Sequence, residues 1–212
     1  MALLMSSMHV NADDRDMQRF GLVDVVTLDS TITVSLMYAR DDNFVGEVMY
    51  TDLKRAFLHP DAAKALVKAS KTLQAINPGY RLKVCDAARP MSVQRKMYNK
   101  VKRTSKARYV SNPARGGGLH NYGLAVDVTI IDSLGYELPM GTKVDHLGKE
   151  ANIDRETYLV RTGVITEQER QNRRLLRRVM TSGGFRPLKS EWWHFNLCTR
   201  DYARRHYRLL EF

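Results

Sequence analysis

The sequence predicts an α+β fold: a single compact domain with a small central, mostly antiparallel sheet flanked by helices. Three observations predict it. Short β-branched runs alternate irregularly with two long amphipathic stretches of helical period. No repeat, low-complexity linker or break in composition divides the 212 residues, a length suited to one domain and at most two. Hydrophobic residues at 43% and charged residues at 27% match ordinary globular usage, which excludes disordered, collagen-like and coiled-coil chains.

Residues 1–19 read as a flexible tail or the remnant of a secretory signal, ahead of a folded domain at 20–212. Val10-Asn11-Ala12 fits a small-x-small cleavage site, although no basic region precedes the short apolar run at residues 2–5. Residues 22–28 and 32–38, rich in Val, Ile and Thr with Asp29-Ser30 between them, read as strands or extended segments. Pro60-Asp61 opens a helix whose Ala62, Ala65, Leu66, Ala69, Leu73 and Ile76 share one face, and Asn77-Pro78-Gly79 ends it. Residues 82–85 read as a short strand, and 91–102 as a basic helix after Pro90. The Pro/Gly-rich stretch 112–118 is a loop.

Residues 124–131 form a near-continuous apolar run, as a central strand requires, interrupted only by Asp127. Thr166-Glu167-Gln168-Glu169 is a capping box, in which hydroxyl and carboxylate satisfy each other's free amides at a helix start. That helix carries Leu175, Leu176, Val179 and Met180 inward and stops at Gly183-Gly184. Residues 191–197 return as an aromatic strand. No apolar run approaches the roughly 18 residues of a membrane-spanning helix.

Lys and Arg number 34 against 23 Asp and Glu, a net charge of +11 that favours anionic surroundings. The two basic runs, Lys96 to Arg108 and Arg170 to Arg178, read as solvated helix faces. No zinc-finger spacing, RNP-type strand or helix-turn-helix signature accompanies them, so nucleic acid is not an expected partner. Two cysteines, Cys85 and Cys198, are too few for a disulfide scaffold or a four-cysteine site, and read as buried small hydrophobes. Any metal must be held mainly by His and carboxylates.

The chemistry concentrates in two segments, Gly118-Leu119-His120-Asn121-Tyr122-Gly123-Leu124-Ala125-Val126-Asp127 and Glu191-Trp192-Trp193-His194. An Asp in an apolar strand cannot stay charged without a cation or donors, because burying an isolated carboxylate is costly. A divalent metal would answer that need, and a catalytic zinc takes three protein ligands with one position for water. His120, Asp127 and His194 make such a set. Glu191 is then free as general base for the metal-bound water. On a regular strand residues 191 and 194 point to opposite faces, so Glu191 belongs in the preceding loop or at a bulge. Arg89, fixed by Pro90, is the candidate to steady an oxyanion formed at a carbonyl. Taken singly, each piece has a structural explanation: a His-x6-Asp pair arises by chance, the aromatic segment suits a core strand, and Arg89 suits a salt bridge. His9, His59 and His206 carry no functional signal, and His146 beside Asp145 is an alternative metal ligand.

Six ordered segments resemble the D-alanyl-D-alanine dipeptidase family of zinc metallopeptidases, which includes the vancomycin-resistance dipeptidases. They are Leu22 to Val25 with Tyr38-Ala39-Arg40-Asp41-Asp42-Asn43-Phe44-Val45-Gly46, Asp86-Ala87-Ala88-Arg89-Pro90, His120 to Asp127, Met140-Gly141-Thr142 with Asp145, Asn172 to Leu176 before Gly184-Phe185, and Glu191 to His194. The resemblance implies one zinc per chain on His120, Asp127 and His194, with Glu191 as general base and Arg89 polarising the scissile carbonyl. It implies cleavage of free D-Ala-D-Ala in a small closed pocket, with Asp145 the candidate partner for the substrate ammonium. Two departures bear on recognition: Gly118-Leu119 stand where the family usually has serines, and Asn121-Tyr122 where it has a Ser-Arg pair. The expected activity is therefore zinc-dependent hydrolysis of D-Ala-D-Ala or a close D,D-dipeptide. The alternatives are a peptidoglycan-stem D,D- or L,D-carboxypeptidase, which needs an open groove, and a non-catalytic zinc-stabilised module binding anionic polymer. The implied setting is bacterial, with the periplasm or cell envelope, in contact with anionic cell wall, ahead of the cytoplasm.

Overall fold

The structure, a computed structural model, describes residues 13–212 and starts at a helix cap. Asp13 accepts from the amides of Arg15 and Asp16 and opens α1 (Asp14–Arg19), whose Met17 is fully buried. Residues 13–19, grouped with the tail on sequence, thus fold onto the core through one apolar anchor. The signal-like segment and its cleavage site lie outside the described residues.

The two segments read as strands at 22–28 and 32–38 are mostly something else. Only β1 (Val23–Asp24) and β2 (Thr33–Val34) are extended; α2 (Val25–Leu28) lies between them, and a 3-10 turn at Met37–Ala39 follows. Asp24 explains the first departure, since its carboxylate accepts from the Val26 amide and caps a helical turn against the β propensity of the valines. β3 (Phe57–Leu58) pairs antiparallel with β1 in a separate two-stranded sheet.

The helices with clear start signals fall where the sequence puts them. α3 spans Pro60–Ile76 with proline in its first turn, and α6 below spans Glu167–Gly183 behind the Thr166 capping box. Between them come β4 (Arg81–Asp86), α4 (Met91–Val101), β5 (Ala125–Ile131) and α5 (Glu156–Arg161), and after α6 come β6 (Arg186–Leu188), β7 (Glu191–Asn196) and α7 (Arg200–His206). The main sheet has order β2-β4-β5-β7-β6, with β2 and β4 parallel and the other three pairings antiparallel. β5 is central, and all seven of its residues are buried. Among the described residues no helix is long and apolar enough to cross a membrane.

α3 and α6 pack on each other and on the sheet. Gly183 permits their close approach: a Cβ there would stand 2.4 Å from the Ala65 carbonyl oxygen. The arginines of α6 are not a uniformly solvated face. Arg173 is fully buried, donating from Nε to the Met140 carbonyl at 2.6 Å and from Nη1 to the Glu150 carbonyl at 3.0 Å, and Arg177 makes a two-bonded pair with Glu156. A charge run cannot reveal this, because Arg buries its stem and fork wherever carbonyls converge. The basic residues from Lys96 to Arg108, in contrast, are exposed as expected.

Replacing glycine by alanine inside a helix ordinarily stabilises by up to about 1 kcal/mol. Gly183→Ala is expected instead to destabilise by about 1–3 kcal/mol through overpacking, read as a lowered Tm; an unchanged or raised Tm would refute the close approach.

Candidate active site

Asp127 on β5 faces Asp86 of β4 on one side and His194 of β7 on the other, as cross-strand partners. Partners directly opposite share a face of the sheet, so all three side chains lie on the face bearing the cavity. Asp86 reaches that face through a bulge. Val84 pairs with Val128 but Asp86 pairs with Asp127, so Cys85 is the extra residue. Without the bulge Asp86 would follow Val84 to the opposite face.

A larger irregularity serves Glu191. As β6 advances one residue, from Pro187 to Leu188, its partner on β7 jumps from Phe195 to Glu191. The slip of three residues is odd, so Glu191 joins His194 and Asn196 in lining the cavity. This is the bulge that the spacing of Glu191 and His194 demanded.

His120 comes from a 3-10 turn, Leu119–Tyr122, that leads into β5. Gly117, at φ +61°, makes room for the turn, since a Cβ there would lie 2.3 Å from Asn121 Oδ1, the acceptor of the Gly118 amide. The His120 ring bonds the Ala87 carbonyl through Nδ1 at 2.6 Å, which fixes Nδ1 as the protonated nitrogen. His194 Nε2 lies 2.9 Å from Asn196 Oδ1, which fixes that nitrogen likewise. The two lone-pair nitrogens left, His120 Nε2 and His194 Nδ1, face each other at 3.2 Å and lie 3.5 and 2.9 Å from Asp127 Oδ1.

Two facing acceptors beside a carboxylate require a cation between them. A tetrahedral ion with bonds of about 2.0–2.1 Å has ligand-to-ligand edges of about 3.3 Å, and the three donors, all within 4.8 Å of one another, fit such an ion. Charge balance agrees. Burial disfavours an ionised Asp127, but His120 and His194 outweigh it and hold its carboxyl well below the usual range. Burial likewise disfavours a charged His194, yet Asp127 and Glu191 raise it to about 9, so without metal the cluster captures a proton instead.

Around this cluster stand the other residues singled out by sequence. Arg89 is buried, with Nη2 on Asp86 at 2.5 Å, Nη1 on Gln94 at 3.1 Å, and its guanidinium over the Tyr38 ring. Burial opposes its charge, but Asp86 keeps it firmly protonated. Glu191 is part-buried on the cavity wall, and the loss of water around it raises its carboxyl above the usual value. Asp145 lines the same cavity in a left-handed conformation, φ +70°, accepting from the Tyr38 hydroxyl at 3.0 Å and the Phe44 amide at 2.7 Å. Burial pushes its carboxyl up to about 7. His146, the alternative ligand, pairs instead with Glu150 at the surface, outside the cluster. Sequence reasoning gave no role to Tyr38, Asp86 or Asn196. Asn196 had a usable signal, lying two residues beyond His194 on the same strand face.

The three donors at the centre of the mixed sheet, with the cavity beside them, make a candidate metal site of the kind used by metal-dependent enzymes. The family model described as D-ala-D-ala dipeptidase, peptidase family M15, matches residues 18–211, and the chain belongs to that family. It is 32% identical over 176 residues to the D-alanyl-D-alanine dipeptidase of Escherichia coli K12, covering 83% of this chain and 84% of that one. It is 29% identical over 192 residues to the D-alanyl-D-alanine dipeptidase of Enterococcus faecium, covering 80% and 88%.

Equilibrium dialysis against a divalent metal is expected to give one equivalent bound to the purified protein. His194→Ala should abolish retention, and Asn196→Ala, which frees the ring, should weaken it by about 10–100-fold. Full retention by His194→Ala would remove the cluster as the metal site.

Proposed function

We propose that this protein is a zinc-dependent dipeptidase that hydrolyses D-alanyl-D-alanine, or a close D,D-dipeptide, to free D-alanine. The observation that carries the reading is Asp145, a carboxylate without a cationic partner among the described residues, set in the same cavity as the metal cluster. A substrate with a free ammonium supplies that partner, and one with a blocked amino end does not. The cavity, about 330 Å³, lies at the low end of the roughly 300–1,000 Å³ of small-molecule sites, which favours a dipeptide over a peptidoglycan stem. The dipeptidase names of the relatives point the same way.

His120, Asp127 and His194 would hold the zinc, whose presence lowers the pKa of water and polarises a carbonyl. Glu191 takes the proton of the attacking water, a task helped by partial burial that makes its carboxylate more basic than one in solvent. The same carboxyl then delivers the proton to the departing amine. Arg89, its Nη atoms held by Asp86 and Gln94, has Nε buried without an acceptor, and it steadies the negative charge that develops on the carbonyl oxygen. Asp145 and the Tyr38 hydroxyl orient the amino end, so the scissile carbonyl is presented in one direction.

The deciding experiment measures D-alanine release from D-Ala-D-Ala and from its N-acetyl derivative. Cleavage of the free dipeptide alone is expected, with Glu191→Ala lowering kcat by about 10²–10⁴-fold while metal content is unchanged. Cleavage of the acetylated substrate would make the enzyme a carboxypeptidase. No cleavage of either by metal-loaded protein would leave a binding module.

Asp145 also sets a pH dependence. Its ionised form must meet the ammonium, so KM for D-Ala-D-Ala is expected to rise as pH falls through about 7. Stability runs the other way: the folded carboxyl binds its proton more tightly than the unfolded one, so its contribution is complete at low pH and is lost as pH rises through about 7. In metal-free protein Asp145→Asn should therefore raise Tm at pH 8 but not at pH 4, while raising KM of the loaded enzyme. Equal Tm changes at the two pH values would show that the carboxyl is not the titrating group.

A further inference from the structure

A free dipeptide carries a carboxylate as well as an ammonium, and a buried carboxylate needs a cation as surely as Asp127 does. The cavity is lined by two arginines, Arg89 and Arg200. Arg89 is already matched to Asp86 at 2.5 Å and tied to Gln94. Arg200, in the first turn of α7, has no acidic side chain within salt-bridge distance among the described residues. Its Nη2 donates to the Arg115 carbonyl at 2.9 Å, and its Nε is buried without an acceptor. That bond ties the guanidinium to the loop that leads into Gly118 and Leu119, which line the same cavity.

The neighbourhood is cationic. Arg204 donates to the same Arg115 carbonyl. Partial burial, together with Arg204 and Arg115, lowers the pKa of Arg200, the mark of a guanidinium that an anion would stabilise. A guanidinium offers a fork of donors matched to a carboxylate, which a lysine ammonium does not.

We propose that Arg200 is the specificity-determining residue that binds the C-terminal carboxylate of the substrate. The assignment rests on the dipeptidase reading above and deepens it: with Asp145 for the ammonium and Arg200 for the carboxylate, one cavity selects a substrate that carries both free ends. A chain extended beyond its second residue would set a neutral peptide group against an unmatched arginine.

The experiment compares D-Ala-D-Ala with D-Ala-D-alaninamide, whose C-terminus is uncharged, using zinc-loaded full-length wild type, Arg200→Gln, Arg200→Lys and Arg204→Gln. Arg200→Gln is expected to raise KM for D-Ala-D-Ala by about 10–100-fold, the worth of a charged hydrogen-bonded contact. Its kcat should stay within about 3-fold and its KM for the amide should not change, so the preference for the acid collapses. Arg200→Lys should recover part of that preference, and Arg204→Gln, exposed and outside the cavity lining, should keep all of it. Equal losses on the two substrates, or an unchanged acid preference in Arg200→Gln, would overturn the assignment while leaving the dipeptidase intact. Wild type that cleaves neither substrate would overturn the dipeptidase reading and, with it, this role for Arg200.

Discussion

Two carboxylates stand opposite each other on neighbouring buried strands. Asp86 and Asp127 are cross-strand partners with almost no exposure, an arrangement that is unfavourable unless each has its own positive charge. Asp86 takes Arg89, with the Tyr50 hydroxyl at 2.6 Å as a further donor. Asp127 takes whatever cation sits between His120 Nε2 and His194 Nδ1. The separation of these two assignments organises the site: because Arg89 is committed to Asp86, it lies beside the metal cluster without competing for Asp127. A lysine could supply the charge at residue 89, but not the fork that holds Asp86 and Gln94 at once while Nε stays without an acceptor.

Meeting that constraint takes two departures from regular pleating. β5 has no bulge and supplies Asp127, while each neighbour slips by an odd number of residues, one at Cys85 and three between Glu191 and Phe195. An odd slip exchanges the faces of a strand, and so the anchor for Arg89 and the carboxylate of Glu191 both arrive on the side of Asp127. Alternation of side chains alone leaves these groups scattered over two faces.

Legibility in the sequence follows the same line. The helices Pro60–Ile76 and Glu167–Gly183 are bounded by local chemistry, a proline and a capping box, and their limits read directly from residue order. Asp127 stands out because a charge in an apolar run has few explanations, and the odd spacing of Glu191 and His194 exposes the larger bulge. The bulge at Cys85 leaves no such mark, because an apolar thiol between Val84 and Asp86 looks like ordinary strand. The valines of 22–28 mislead for a related reason: a capping carboxylate at Asp24 outranks β propensity, and whether it caps depends on where the backbone has already turned.

The burial of Arg173 is the least legible feature and the one with the longest reach. Its side chain grips the Met140 and Glu150 carbonyls, the two ends of the segment that carries Asp145. Among the described residues no carboxylate pairs with it, since Glu156 is taken by Arg177, and burial draws its pKa down to about 10. Such a cation is tolerated because carbonyl dipoles and the Trp192 ring, 5.8 Å away, surround it. Trp192 in turn donates its indole N–H to Thr142 at 2.8 Å, inside the gripped segment. The residue before Trp192 is Glu191. One set of contacts therefore holds both the left-handed Asp145 and the bulged strand that presents Glu191. The separation of Asp145 and Glu191 is thus held by helix α6 through a buried arginine, so the run Asn172-Arg173 shapes a cavity whose lining does not include it.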